Sequence, residues 1–294
     1  MNLLVGAATI GLILAPLALG VFVTYRVYRW LDLTVDGSFG LGAGVVAALL
    51  VREVPPMAAT ALGTLAGAVA GATTGFLHTR LQVSALLAGV LTSTALYSVI
   101  LFVMGSGNLS LASADTLVTA AGVVGERAGI SSDLGVLIAA ALLAAALGIG
   151  LALFLGTDLG LAMRASGSNP QMAKAVAIDV DRMVVLGLAL SNGLVALAGA
   201  LFAQYSGFAN IQMGIGAIVT GVATLMVGET LLGRQSLGRW IAAAIVGAVV
   251  YRLAVAGALR AGLNPNALKL VTALFVLAVL VAPDLARRTR RAHV

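Results

Sequence analysis

Three carboxylates lie in or beside long apolar stretches of this chain: Asp32 and Asp36, four residues apart, and Glu229. Spacing of four puts the two aspartates on one face if their segment is helical. A carboxylate held within a bilayer can carry a proton or an ion. A second kind of chemistry belongs to residues 158–182, DLGLAMRASGSNPQMAKAVAIDVDR, which lie between two blocks, 134–157 and 183–228, that contain no charged residue. Arg164 and Lys174 in this island offer cationic groups to a docking partner rather than to a substrate. Catalytic motifs are missing. There is no Gly-x-x-x-x-Gly-Lys-Ser/Thr phosphate loop, no Gly-x-Ser-x-Gly and no His-Glu-x-x-His, and the only lysines are Lys174 and Lys269. The absence of cysteine excludes disulfides and thiolate metal sites, and His78 and His293 are far apart in sequence. An enzyme, or a cofactor held by this chain, has no residues to rest on.

What must position these groups is a membrane bundle. The 294 residues are 61% hydrophobic and 10% charged, with a mean hydropathy of +1.08, too few polar groups to cover a folded surface in water. Apolar runs are continuous rather than alternating, so the spans are helices and not barrel strands. Abundant glycine and alanine suit close helix packing in lipid. We read spans at 3–25, 37–51, 57–79, 82–104, 133–155, 183–204, 212–230, 238–259 and 265–283, about nine in a range of eight to ten, forming one permease domain over 1–294. The span at 37–51 is short, and the block 183–228 must turn near Gln204–Gln212.

Basic residues set the sides. With the basic tail 286–294 in the cytoplasm, the inside loops hold Arg26, Arg29, Arg80, Arg164, Lys174, Arg182, Arg234 and Arg239 besides Arg287, Arg288, Arg290 and Arg291. The outside loops hold Arg52, Arg127 and Arg260, while Arg252 and Lys269 fall within or beside spans, and the balance places Met1 outside. No lysine or arginine precedes the first apolar run, the reverse of a signal peptide, so that run is read as a span. The net charge of +6 is an orientation signal and not a footprint for nucleic acid.

Within the bundle, Asp36 or Ser38 can cap the helix that follows. Alternatively 32–50 is a broken helix whose backbone lines a cavity, as glycines 37, 40, 42 and 44 permit. Gly214-Ile-Gly-Ala repeats the pattern of Gly40-Leu-Gly-Ala, as two related broken elements would. Gly63, Gly67, Gly71 and Gly75 form a ridge for close packing or for sliding. Asn192, Gln204, Tyr205 and Gln212 either bond between helices or line a path. In 158–182, Asp158 can cap a short helix, Gly167-Ser-Asn-Pro makes a turn, and Pro170 starts a second helix over 171–178. The result is a polar elbow.

The run Met163-Arg-Ala-Ser-Gly-Ser-Asn-Pro-Gln-Met-Ala, followed by Ile178, Asp179 and Asp181-Arg-Met, resembles the coupling loop of ABC importer permeases of the branched-chain amino acid/ribose type. The family reads close to R-A-x-G-x-N-P-x-x-A followed by Gly-Ile, where this chain has Ala177-Ile178. Leu31-Asp-Leu-Thr-Val-Asp-Gly-Ser-Phe is similar to a second family segment, and to the tryptophan/tyrosine permease subgroup in particular. Leu188-Ala-Leu-Ser-Asn-Gly through Gln204-Tyr205, Met213-Gly-Ile-Gly and Val227-Gly-Glu extend the likeness over about residues 30–285.

The resemblance implies a type II importer bundle in a bacterial inner membrane, paired with a second permease copy in a homodimer. Two cytoplasmic ATPases would bind the ATP and magnesium, and an extracytoplasmic solute-binding protein would deliver an amino acid or similar molecule. It makes Arg164, Gly167, Asn169, Pro170, Ala173 and Lys174 the coupling residues, with Asn169-Pro170 shaping the elbow and Ala173 allowing close packing. The expected translocation pathway comprises Thr34, Asp36, Ser38, Phe39, Asn192, Gln204, Tyr205 and Gln212. The competing expectation is an ion- or proton-coupled secondary transporter working through Asp32, Asp36 or Glu229.

Overall fold

The computed structural model describes residues 3–233, 235–262, 267 and 270–274. The basic tail 286–294, Arg234 and Lys269 lie outside the described residues, as does the span read over 265–283 apart from 267 and 270–274. The first span is α1 (Leu3–Ile13), α2 (Ala15–Phe22) and a π-helical turn (Val23–Tyr28) in continuous succession. Pro16 in the first turn of α2 cannot donate back to α1, so the axis breaks at Leu14. There follow α3 (Thr34–Leu50), α4 (Pro56–Thr79), α5 (Ala85–Met104), α6 (Leu117–Arg127), α7 (Ser132–Gly156), α8 (Asp158–Ser168), α9 (Pro170–Ala175), α10 (Val180–Ser206), α11 (Ala217–Leu232) and α12 (Leu237–Arg260). Among the described residues six helical stretches have the length and apolarity to cross a membrane, and α3 and α11 are shorter apolar helices. These two occupy the segments read at 37–51 and 212–230.

Two features of the loop end were not anticipated. Short strands β1 (Asn108–Ser110) and β2 (Phe208–Asn210) pair antiparallel, tying the segment after α5 to the segment after α10. The amphipathic helix α6 packs against α7 where a plain loop was expected.

The long helix α10 is the centre of the bundle, lying against both α3 and α4. The α4 ridge makes this possible. A Cβ on Gly67 would lie 2.6 Å from the Asn192 carbonyl oxygen, and one on Gly71 would lie 2.7 Å from Asn192 Cβ. The two backbones therefore touch, the packing mode that small residues favour in lipid. The apolar core runs through α2, α7, α8, α10, α11 and α12 in one cluster, including Phe22, Leu155, Met163, Leu188 and Leu225, and through α3, α4, α5, α10 and β2 in another.

The chain order sorts the loops to two ends. One end carries Arg29, Arg80, Arg164, Lys174, Arg182 and Arg239, with Arg26 in the π-helical turn beside them. The opposite end carries Arg52 and Arg127, with Arg260 closing α12.

Candidate functional site: a polar elbow, an internal junction and a cavity

The elbow is built by local capping. Thr157, in extended conformation, accepts the Gly160 N–H at 3.3 Å and starts α8. Thr157 therefore takes the capping role expected of Asp158, which instead sits in the first turn of α8 and opposes the helix dipole. α8 continues through Gly167 and Ser168, so the turn is narrower than Gly167–Pro170. It is confined to Asn169, whose φ of −150° and ψ of 93° leave the helical region as a residue before proline must. Asn169 also caps α9, its Oδ1 accepting the Met172 N–H at 3.0 Å. The second helix ends at Ala175 rather than 178 because Ala177 turns to a φ of +61°, which lets the Ile178 N–H return to the Ala173 carbonyl at 3.0 Å. This is the position where the family reads glycine. The left-handed backbone gives the physical reason, and alanine accepts it at a cost of about 1 kcal/mol.

The elbow has an inner and an outer surface. Gly167 faces inward, where a Cβ would collide with the Val27 carbonyl and lie 3.0 Å from Tyr28 Cα. The last turn of α8 thus rests on the π-helical turn. Tyr28 completes the seat by donating its hydroxyl to the Met183 carbonyl at the start of α10 and by stacking on Trp30. Ala173 also faces inward, only 2% exposed, and joins the core cluster. Its small size therefore serves packing within the chain. The outward surface consists of Arg164 and Lys174 together with Met172 and Val176, which are 66% and 62% exposed. Met172 and Val176 did not stand out in the sequence, although their spacing of four was available to read.

The second region is internal. Asp36 does not cap its own helix. Its carboxylate crosses to α11 and accepts the N–H groups of Gly216 at 3.0 Å and Ile218 at 2.9 Å. Gly214 lies against the Asp36 carbonyl and the Gly40 N–H, so the two Gly-x-Gly-Ala segments do meet. Asp32 is buried and accepts the Thr34 N–H at 2.9 Å and the Asn192 amide at 2.7 Å. The Thr34 hydroxyl pairs with that of Thr74 at 2.8 Å. Glu229 receives a two-pronged ion pair from Arg26 in the π-helical turn, across 203 residues of sequence with no local signal to announce it. Each of the three carboxylates therefore has a structural partner.

A cavity of about 410 Å³ lies between the first span, α3, α10, α11, α12 and the stretch 270–274, with Phe39, Phe202, Met213, Thr220, Tyr251 and Arg252 in its wall. Of the expected pathway residues, Phe39 alone lines it. Thr34 and Asn192 are enclosed between α3, α4 and α10. Ser38 is buried with its hydroxyl unpartnered among the described residues. Gln204 ties three helices, bonding the Thr60 hydroxyl at 2.9 Å and the Leu117 N–H at 2.8 Å. Tyr205 borders a separate space of about 330 Å³ beside Thr9 and Asp133, and Gln212 is exposed. Sequence reading missed Arg252, which looked like a charge falling within a span.

A long-helix bundle with two short inner helices and a docked polar elbow describes a membrane permease. Residues 3–281 match the family described as branched-chain amino acid transport system, permease component. The chain belongs to this family and is a multi-pass permease component of an ABC-type transport system. It is 36% identical over 285 residues to a tyrosine transport system permease protein of Clostridioides difficile (strain R20291), covering 97% of this chain and 92% of the relative. An uncharacterized protein of Rickettsia prowazekii (strain Madrid E) is 31% identical, covering 92% and 94%. An autoinducer 2 import system permease protein of Klebsiella pneumoniae subsp. pneumoniae is 31% identical over 75% of this chain and 62% of its own. No solved structure matches the chain.

Proposed function

We propose that this chain is the membrane-spanning subunit of an ATP-driven importer for an amino acid or amino-acid-like solute. It works as one of two permease copies in a bacterial inner membrane, with two cytoplasmic ATPase subunits and an extracytoplasmic solute-binding protein. The observation that carries the reading is the elbow, seated inward on Gly167 and Ala173 and presenting Arg164, Met172, Lys174 and Val176 outward. A loop that served only to connect α7 and α10 would not need an ordered two-helix platform with exposed apolar side chains beside cations. The solute class draws on the tyrosine permease relative. The basic end that includes the elbow is cytoplasmic and the start of α1 at Leu3 is on the opposite side, as the distribution of arginine favours.

ATP binding closes the ATPases against the elbow. The last turn of α8 pushes the π-helical turn, a deformable element. Arg26 passes the movement to Glu229 in α11, and Asp36 fastens the far end of α11 to α3. Displacing α3 and α11 together opens the cavity to one side or the other.

Purification of the full chain in mild detergent from its own cells tests this. A stoichiometric P-loop ATPase, lost when Arg164 and Lys174 are both reversed to glutamate, is the expected result. Solute uptake by vesicles holding this polypeptide alone, or collapse of uptake by an uncoupler while ATP persists, overturns the reading.

A further inference from the structure

Arg252 is the unexplained charge in this bundle. It sits well inside α12, about 12 Å along the axis from Arg260 at 1.5 Å per residue. Its Nε is shut off from solvent and has no hydrogen-bond partner among the described residues. Neither side-chain ion pair seen among them, Arg26–Glu229 or Asp179–Arg182, involves it. A guanidinium at this depth is costly unless something answers its charge. The carboxylate of Asp36 is already engaged by the amides of Gly216 and Ile218 at the start of α11.

The rest of the cavity says what else an occupant would meet. Phe39 and Phe202 form a tilted aromatic pair with centroids 6.0 Å apart, and Leu14, Leu17 and Met213 add apolar surface. The Tyr251 hydroxyl is bonded to Thr272 at 2.6 Å, which leaves its ring toward the space. The volume of about 410 Å³ is in the range of small-molecule sites.

We infer that Arg252 is a carboxylate anchor in the transport cavity, holding the acid group of a solute whose apolar side group lies against Phe39 and Phe202. The planar fork of a guanidinium matches a carboxylate with two parallel hydrogen bonds. This rests on the importer reading for the word transport, while the site itself follows from the cavity and the charge. The same fork would hold the phosphate of an anionic lipid, so the test must separate the two sources.

The chain contains no cysteine, so a single Thr220→Cys in the cavity wall gives a reporter for alkylation by a small maleimide. An Arg52→Cys chain, labelled in parallel on an exposed loop, corrects for general reactivity. The full chain is placed in nanodiscs of phosphatidylcholine alone. L-phenylalanine, L-tyrosine and L-leucine are each compared with the amine that lacks the carboxylate, namely phenethylamine, tyramine and isoamylamine. At least one amino acid slows labelling of Thr220→Cys while its amine does not. Adding Arg252→Gln raises the half-protecting concentration about tenfold or more, as loss of a charge-assisted pair requires, and Arg252→Lys restores part of the protection. Equal protection by amine and amino acid, protection that survives Arg252→Gln in a chain of unchanged elution volume, or no protection by any of the three overturns the anchor. Slowing by added phosphatidylglycerol alone, dependent on Arg252, identifies a lipid phosphate as the occupant and overturns it too. A chain that recruits no ATPase but shows Arg252-dependent protection refutes the importer and keeps the anchor. Recruitment without protection refutes the anchor alone.

Discussion

The elbow and the α3–α11 junction are both polar interruptions of an apolar chain, and they use their polar groups in opposite directions. At the junction, Asp36 turns inward to the amides of α11, Asp32 to Asn192, and Glu229 to Arg26. At the elbow, the inward groups are Gly167 and Ala173, which contribute only shape, and the charges of Arg164 and Lys174 point away from the protein. The junction is a set of fasteners and the elbow is a surface. Substitution in the first should therefore be read mainly in stability, and in the second mainly in partner binding and transport.

The largest effect is expected at Glu229. Glu229→Gln leaves the Arg26 guanidinium without its counter-charge in a site where the Glu229 side chain is only 1% exposed. Breaking one side of a buried pair costs about 3–5 kcal/mol. Unfolding in mixed micelles should show this loss, and the double change Arg26→Met, Glu229→Leu should recover most of it. A single Glu229→Gln as stable as the parent would mean that the junction is not fastened there.

Asp36→Ala comes next. It removes the acceptor for two N–H groups at the start of α11, worth about 1–3 kcal/mol when left unsatisfied. Asp36→Asn keeps one acceptor oxygen and should lose about half as much. If the carboxylate instead carried a transported proton, the asparagine variant would be stable and inactive, whereas the fastener predicts that stability and uptake decline together.

These contrasts explain which parts were readable in advance. Long apolar runs fix spans by length, and a polar island flanked by uncharged blocks marks an elbow. Capping and proline rules also point to Asn169–Pro170, because all of these signals are local. The partners of Asp36, Glu229 and Asn192 are set by packing between helices far apart in sequence, and nothing near each residue tells a fastener from a pathway group. The same reason hides the inward turn of Ala173, since a six-residue helix gives too little periodicity to show its buried face. Arg252 was visible as a charge inside a span, but its cavity is assembled from six separated stretches of the chain.

Two smaller changes at the elbow act in opposite directions. Asn169→Ala removes the cap of α9 at about 1 kcal/mol, frays a helix that has no other N-terminal acceptor from its own side chains, and should weaken ATPase recruitment several-fold with little change in global unfolding. Ala177→Gly relieves the left-handed backbone at +61°. It should strengthen the elbow by up to about 1 kcal/mol, offset in part by the greater freedom of glycine in the unfolded chain. Hydrogen exchange of the 171–178 amides distinguishes the two, faster in the first variant and slower in the second.

The smallest expected change in stability is at the outer surface itself. Arg164→Glu and Lys174→Glu alter exposed side chains that form no ion pair or side-chain hydrogen bond among the described residues. Surface substitutions of this kind stay within about 0.5 kcal/mol. Reversing a rim charge nonetheless places like charges together against an acidic partner and slows its association. The pair should therefore unfold like the parent, yet fail to retain the ATPase and lose uptake, with the defect deepening as ionic strength falls because screening no longer masks the repulsion. A double reversal that recruits the ATPase normally at low salt would remove the electrostatic half of the docking surface and leave Met172 and Val176 to account for it.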